Sequence, residues 1–151
     1  MSQLPTHTKK GSILTELILE LFSLYGLLMS AGDRISGQVG LTSSLWKVLG
    51  ALEQNPRTAS QIARVMGLTR QSVQRSINIL KKDGLVEAVI NPDHRTSPLF
   101  EMTTKGQAVY QKVTQLQINW SNELAEDFQT EELKTAVSVL HTFINALEDS
   151  D

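Results

Sequence analysis

The sequence contains no cysteine. Disulfide frameworks, thiolate metal sites, thiol catalysis and thiol-based peroxide sensing are excluded together, and a chain built without disulfides suits a reducing cytoplasm. Histidine is nearly as scarce. His7, His94 and His141 stand far apart, and none belongs to a metal-spaced cluster. Neither a glycine-rich phosphate loop nor a G-x-S-x-G elbow occurs. No catalytic residue, metal ligand or cofactor is therefore expected, and an enzyme finds no support. An uninterrupted membrane span is missing too. Lys9 and Lys10 precede the apolar run Ile13 to Met29 in the manner of a signal peptide, but Glu16 and Glu20 interrupt it and no A-x-A site follows. A span needs about 20 apolar residues. The run is expected to be a buried helix of a soluble, cytoplasmic protein with no membrane partner.

What is present is a segregation of charge. The 151 residues, enough for one compact domain with helical extensions, carry a net charge of only −2. Between Arg57 and Lys112, however, nine basic residues face four acids, a net +5, while the remainder holds five basic residues and twelve acids, a net −7. A basic middle between acidic ends suits a central nucleic-acid surface carried on scaffold helices.

The apolar pattern divides the chain into helices and one hairpin, without internal repeats or low-complexity tracts. Ile13 to about Ile35 reads as a helix with two adjoining apolar stripes, Leu14, Leu17, Leu21, Leu24 and Leu28 beside Ile18, Phe22, Tyr25 and Met29. So wide an apolar surface needs burial on more than one side. A loop from Gly37 leads to the N-cap Thr42 and a short helix with Leu45, Val48, Leu49 and Leu52 inward, stopped by Asn55-Pro56. Thr58 and Gln61 form a capping box for the next helix, Gly67 ends it, and Thr69 caps a further helix from Arg70 to about Lys82, ended at Asp83-Gly84. Two short helices joined by a glycine-containing turn make a helix-turn-helix. Leu85 to Ile90 and Leu99 to Met102 then read as the strands of a hairpin around the turn-rich Asn91 to Pro98. A long helix from Thr103 and a last one, capped by Thr130, complete the chain. The last helix places Leu133, Val137, Leu140, Ile144 and Leu147 at alternating spacings of four and three, a coiled-coil-like seam.

In the helix Arg70 to Lys82, Val73, Ile77 and Leu80 share one face, and Gln71, Gln74, Arg75 and Asn78 share the opposite one. Glutamine and asparagine pair bidentately with adenine in the major groove and arginine pairs with guanine. An ordinary solvated face would look similar by composition. Three neighbours favour DNA. The turn leaves the helix N-terminus free to enter a groove. Ser60, Thr69, Arg70 and Ser72 lie near two helix starts, where amides and short hydroxyls suit phosphate. Arg95 sits near the hairpin tip, and a narrow minor groove attracts such a side chain. The alternative for Asp93 and Arg95 is a salt-bridged tip with no DNA role.

The ordered set Leu41-Thr42, Thr58 to Ala63, Leu68 to Arg75, Asp83-Gly84-Leu85-Val86, the Asp93-His94-Arg95 wing and Met102-Thr103-Thr104-Lys105-Gly106 resembles the MarR family. The resemblance covers about Thr42 to Gly106, and the terminal helices agree in placement. It implies a mainly α fold with a small β-hairpin wing, a winged helix-turn-helix with N- and C-terminal dimerisation helices. Residues 1–36 and 104–151 would be those helices and 37–103 the DNA-binding lobe. It also implies that Arg95 enters the minor groove and that Asp93 steadies the wing. His94, where many members carry a second arginine, and Ser97-Pro98, in place of a more basic strand entry, depart from the pattern and weaken the expected grip on phosphate.

The apolar surplus at Leu14, Leu17 and Leu21 and the seam at Val137, Leu140, Ile144 and Leu147 point to a homodimer, because a monomer would expose too large an apolar patch. Packing of these helices on each other within one chain is the alternative. By the same resemblance, a small aromatic or phenolic effector would bind between the dimer helices and the lobe, with Phe22, Tyr25, Trp46 and Trp120 as candidate lining, although such residues are often plain core. The expected function is a sequence-specific regulator binding a palindromic operator in double-stranded DNA, a ligand-responsive repressor. A winged-helix protein-interaction module is the competing reading, and the polar character of the Gln71, Gln74, Arg75 and Asn78 face argues against it.

Overall fold

The computed structural model describes residues 6–149. The elements run α1 (Lys9–Gly37), α2 (Ser43–Ala51), α3 (Ala59–Met66), α4 (Arg70–Lys82), β1 (Val86–Val89), β2 (Leu99–Met102), α5 (Thr104–Ala125) and α6 (Thr130–Glu148). This is a mainly helical chain with one antiparallel hairpin. It forms two compact units, one up to Val113 and one from Thr114 onward, so that α5 begins in the first and ends in the second.

Helix boundaries follow local chemistry. Thr8 and Thr42 accept at Oγ1 from the amides of Gly11 and Leu45, starting α1 and α2. The Thr58 capping box is complete: Gln61 N donates to Thr58 Oγ1 at 3.2 Å and Thr58 N donates to Gln61 Oε1 at 2.8 Å. Gly67 closes α3 at φ 62°, a conformation that costs glycine little. Helix α2 stops at Ala51, well before Asn55-Pro56, with the Leu52 and Glu53 amides turning back onto Leu49 and Gly50. At α6 the expected cap is displaced by one residue. Gln129, not Thr130, is the N-cap, and its amide donates to Glu132 Oε2 at 3.1 Å.

The core of the first unit lies among α2, α3 and α4, where Val48, Leu49, Ile62, Val73, Ile77 and Leu80 have no solvent exposure. The hairpin pairs Val86 with Met102 and Val89 with Leu99, and it buries Val86 and Phe100. Phe100 also exchanges both backbone hydrogen bonds with Arg57, at 2.8 and 3.1 Å, so the chain just before α3 is stitched to the wing.

Helix α1 departs from expectation. Only Ala31, Ile35 and Ser36 are buried, while Leu19, Phe22 and Leu27 are 63%, 72% and 69% exposed. Within the first unit the helix is not the buried element that its composition called for. By length and hydropathy it would also pass as a membrane span, although Glu16 and Glu20 lie within it. Its C-terminal end is tied to α2. Asp33 Oδ1 accepts from Ser43 N at 2.8 Å, Ser43 Oγ donates to the Met29 carbonyl at 3.3 Å, and Gly32 passes so close that a Cβ would lie 2.6 Å from Ser43 Oγ. The Ser43 amide holds the Asp33 carboxyl below its ordinary value.

The start of α5 is locked to the α4–β1 connection. Thr103 Oγ1 donates to the Gly84 carbonyl, Lys105 Nζ to the Asp83 carbonyl, and Gly106 N to Thr103 Oγ1. A Cβ on Gly106 would lie 1.9 Å from the Leu85 carbonyl oxygen. This approach decides the sign of a substitution: helix propensity alone would make Gly→Ala stabilising by about 1 kcal/mol, but a backbone clash cannot be relieved by a rotamer. Gly106→Ala is expected to destabilise the protein by about 2 kcal/mol, measured as a lower urea midpoint at unchanged slope.

Candidate nucleic-acid interface

The helix-turn-helix is α3, the Gly67 turn and α4. Leu68 N donates back to the Ala63 carbonyl at 2.9 Å, and Thr69 Oγ1 accepts from Ser72 N at 3.1 Å. The apolar stripe of α4 is wholly buried, so the opposite face must look outward. Gln71, Gln74, Arg75 and Asn78 are all exposed, as are Thr69 and Arg70 at the helix start and Ser60 in the first turn of α3; Ser72 is half-buried. Gln74 Nε2 donates to Asn78 Oδ1 at 3.1 Å, which pre-orients two carboxamides on one face. The Ser72 hydroxyl donates to the Thr69 carbonyl at 2.9 Å, leaving its lone pairs for a donor and its proton committed. That makes Ser72 a poorer phosphate donor than its position suggests.

Among the described residues the only ion pair is Lys134–Glu131, in the second unit. Arg70, Arg75 and Arg95 therefore keep their charge unneutralised by a carboxylate, the condition for attracting phosphate. Arg64, Lys82 and Lys112 are exposed as well, but three members of the basic segment also make contacts within the protein. Arg57 Nε donates to the Ala51 carbonyl at 2.7 Å, Lys105 is committed to Asp83, and Lys81 Nζ lies 6.0 Å from the Phe100 ring centre. The segment's charge of +5 thus overstates the surface available to DNA.

The wing loop, residues 90–98, carries Arg95 and Asp93, both exposed. The salt-bridged tip is absent: among the described residues no ion pair joins Asp93 to Arg95. The loop is held instead by Asn91, only 9% exposed, whose Nδ2 donates to the Ser97 carbonyl at 2.8 Å and whose Oδ1 accepts from Asp93 N at 3.1 Å. Asn91 was not among the residues singled out from sequence, although an Asn-Pro pair opening a turn is the usual signal of such a bond.

Of the four aromatic candidates, Trp46 lines a cavity. It shares a space of about 300 Å³ with Leu28, Met29, Gly32, Ser43, Lys47, Gly50 and Met66. Phe22 and Tyr25 are exposed on α1, Tyr25 with Lys47 Nζ 6.0 Å from its ring centre, and Trp120 belongs to the second unit. Lys47, Met29 and Met66 were missed as lining residues. Their convergence depends on three helices and leaves no local sequence mark. A second cleft, about 400 Å³, is lined by Glu53, Glu101, Gln107 and Tyr110, among others, and by no cation, a character unsuited to phosphate.

Known proteins match this geometry. A family model described as MarR family covers residues 39–95, the helix-turn-helix and the wing up to Arg95. The uncharacterized protein Rv2011c of Mycobacterium tuberculosis is 37% identical over 135 residues, 89% of this chain and 94% of that one. The chain belongs to the MarR family. It is a winged-helix, DNA-binding transcription regulator and not an enzyme. Transcriptional activatory protein BadR of Rhodopseudomonas palustris is 28% identical over 145 residues, 93% of this chain and 81% of BadR. Among solved MarR-like folds, the transcriptional repressor CouR bound to a 23-mer DNA duplex superposes with a TM-score of 0.79 at 23% identity, covering 92% of this chain and 99% of CouR.

Proposed function

We propose that this MarR-family chain acts in the cytoplasm as a homodimeric repressor that reads a palindromic operator and is released from it by a small aromatic effector. The observation that carries the DNA part is the outward face of α4. Gln71, Gln74, Arg75 and Asn78 are held there by a fully buried opposite stripe, with Arg75 free of any carboxylate among the described residues. In this reading those four contact base edges. Ser60, Thr69 and Arg70 meet phosphate, Ser72 doing so only if its hydroxyl leaves the Thr69 carbonyl, and Arg95 enters the minor groove beside Asp93. CouR is a repressor bound to a DNA duplex, which favours repression, whereas BadR is named an activator.

The apolar surfaces support self-association. Leu14 on α1 and Val137, Ile144 and Leu147 on α6 are exposed, and Leu17, Leu21 and Leu140 are half-buried. Two copies related by a two-fold axis would offer two recognition helices to half-sites about 10 base pairs apart or a multiple of that, hence the palindrome. The dimerisation helices are then residues 1–36 and 104–151 about a lobe of 37–103; residues 1–5 and 150–151 lie outside the described ones. The same need for cover favours a second copy over a membrane as the occupant of the α1 surface, given Glu16 and Glu20 within it. Light scattering is expected to return twice the chain mass at micromolar concentration, and the double substitution Val137→Glu, Ile144→Glu is expected to shift the mass toward one chain. A parent protein that is monomeric there would contradict the dimer.

The Trp46 cavity has apolar walls from Leu28, Met29 and Met66 and one cationic member, Lys47. That combination fits an aromatic acid or phenolate, ring against the methionines and anion toward the ammonium. In a Trp120→Phe protein, so that Trp46 alone reports, a panel of benzoates and phenols should change the fluorescence and lower DNA affinity. A silent panel would rule out such an effector at this cavity.

The central test is a fluorescence-anisotropy titration on DNA from upstream of the chain's own gene and on scrambled DNA, at two salt concentrations. A preference of about 10³ or more is expected for an operator. Arg75→Ala should flatten the preference. Arg95→Ala should instead weaken binding to most sequences and reduce the salt slope by about 1 for each phosphate the side chain would have neutralised. Parent-like binding by both variants would refute these assignments, and absence of binding at low salt would favour a protein-interaction module.

A further inference from the structure

Between the end of β1 and the start of β2 the chain must carry Arg95 across a loop that has no apolar core of its own and, among the described residues, no ion pair. Two turns make it compact. Asp93 N donates to Asn91 Oδ1 at 3.1 Å, an Asx-turn over Pro92, and Ser97 N donates to the His94 carbonyl at 3.2 Å, a turn whose two central residues are Arg95 and Thr96. Asn91 joins them, because its Nδ2 reaches across the loop to the Ser97 carbonyl at 2.8 Å. One side chain, 9% exposed, thereby closes the loop from 91 to 97 and spends both its carboxamide donor and its acceptor in doing so.

We propose that Asn91 is the positioning residue of the wing: its two hydrogen bonds pre-order the turn that presents Arg95 to DNA, a task for which the Asp93 carboxylate has no partner at Arg95. The inference rests on the DNA-binding reading of the wing. The reason for the effect is entropic as well as geometric. Without the clasp the arginine rides on a loop with many conformations, and ordering that loop must then be drawn from the binding energy. Asn91 itself does not touch DNA in this scheme; it acts through Arg95.

The test is a double-mutant cycle. The probe is a duplex enriched by the parent protein from a random-sequence pool, so that no operator need be known. Asn91→Ala removes both bonds. Asn91→Ser keeps a hydroxyl able to accept from the Asp93 amide in an equivalent turn but too short to reach Ser97, and it adds no charge. Asn91→Ala should weaken binding about tenfold and Asn91→Ser less, with melting temperatures within about 2 °C of the parent, because the loop lies outside the core. In an Arg95→Ala background the penalty of either substitution should shrink to about twofold or less. A purely structural asparagine would lower the melting temperature and weaken binding equally with or without Arg95, and that result overturns the proposal, as does parent-like binding by Asn91→Ala. If Asn91→Ala fails to fold, the cycle is run with Asn91→Ser and read in the same way. Failure of the pool to yield any enriched duplex would instead refute the DNA reading beneath it.

Discussion

Burial of the α4 stripe is the constraint on which the remainder hangs. Val73, Ile77 and Leu80 have no solvent exposure and sit against the equally buried Val48, Leu49 and Ile62 of α2 and α3. A thirteen-residue helix has little stability in water by itself. Once its apolar side is seated, rotation about its axis is no longer free. The polar residues at 71, 74, 75 and 78 then have one direction in which to point. Recognition chemistry is here a by-product of core packing: the residues that face solvent are aimed by those that do not.

The wing inherits its position from the same core. Leu85 N donates to the Leu80 carbonyl, Gly106 packs against the Leu85 carbonyl, and Thr103 bonds the Gly84 carbonyl, so both strands are moored to the end of α4. Arg57 and Phe100 add a third tether from the chain before α3. The M-T-T-K-G stretch opening α5 thus has a mechanical meaning. Threonine supplies a donor and an acceptor at one hydroxyl, lysine satisfies a carbonyl at the end of α4, and glycine permits a backbone approach that any side chain would block. Only the outermost loop escapes this mooring, which is why a single buried asparagine there carries so much of the ordering.

The charge pattern illustrates how composition and structure part company. Nine basic residues in the middle segment pointed to DNA, yet Arg57, Lys81 and Lys105 are engaged with a backbone carbonyl, a ring and another carbonyl. The other six, Arg64, Arg70, Arg75, Lys82, Arg95 and Lys112, are exposed and without an ion pair among the described residues. Net charge locates a region, whereas the particular cations free to meet phosphate are selected by what the others are already bonded to.

The sequence by itself determined the elements and several of their ends, because those depend on partners three or four residues away. The Thr42, Thr58 and Thr69 caps, the Gly67 turn and the buried stripe of α4 were all legible for that reason, whereas α1 begins at Lys9 and not Ile13, α2 stops short of Asn55-Pro56, and Gln129 caps α6 in place of Thr130. The hairpin also followed from β-branched runs and turn chemistry, though not its register. Only the tertiary structure decided what lies far apart in the chain: that Asn91 clasps Ser97, that Arg57 belongs to the scaffold, that Lys47 and Met66 share a cavity with Trp46, and that within the first unit α1 is buried only near its C-terminal end. The physical reason is one of range. Capping and periodicity are written in neighbouring residues, while side-chain commitment and burial are set by surfaces that meet only after folding.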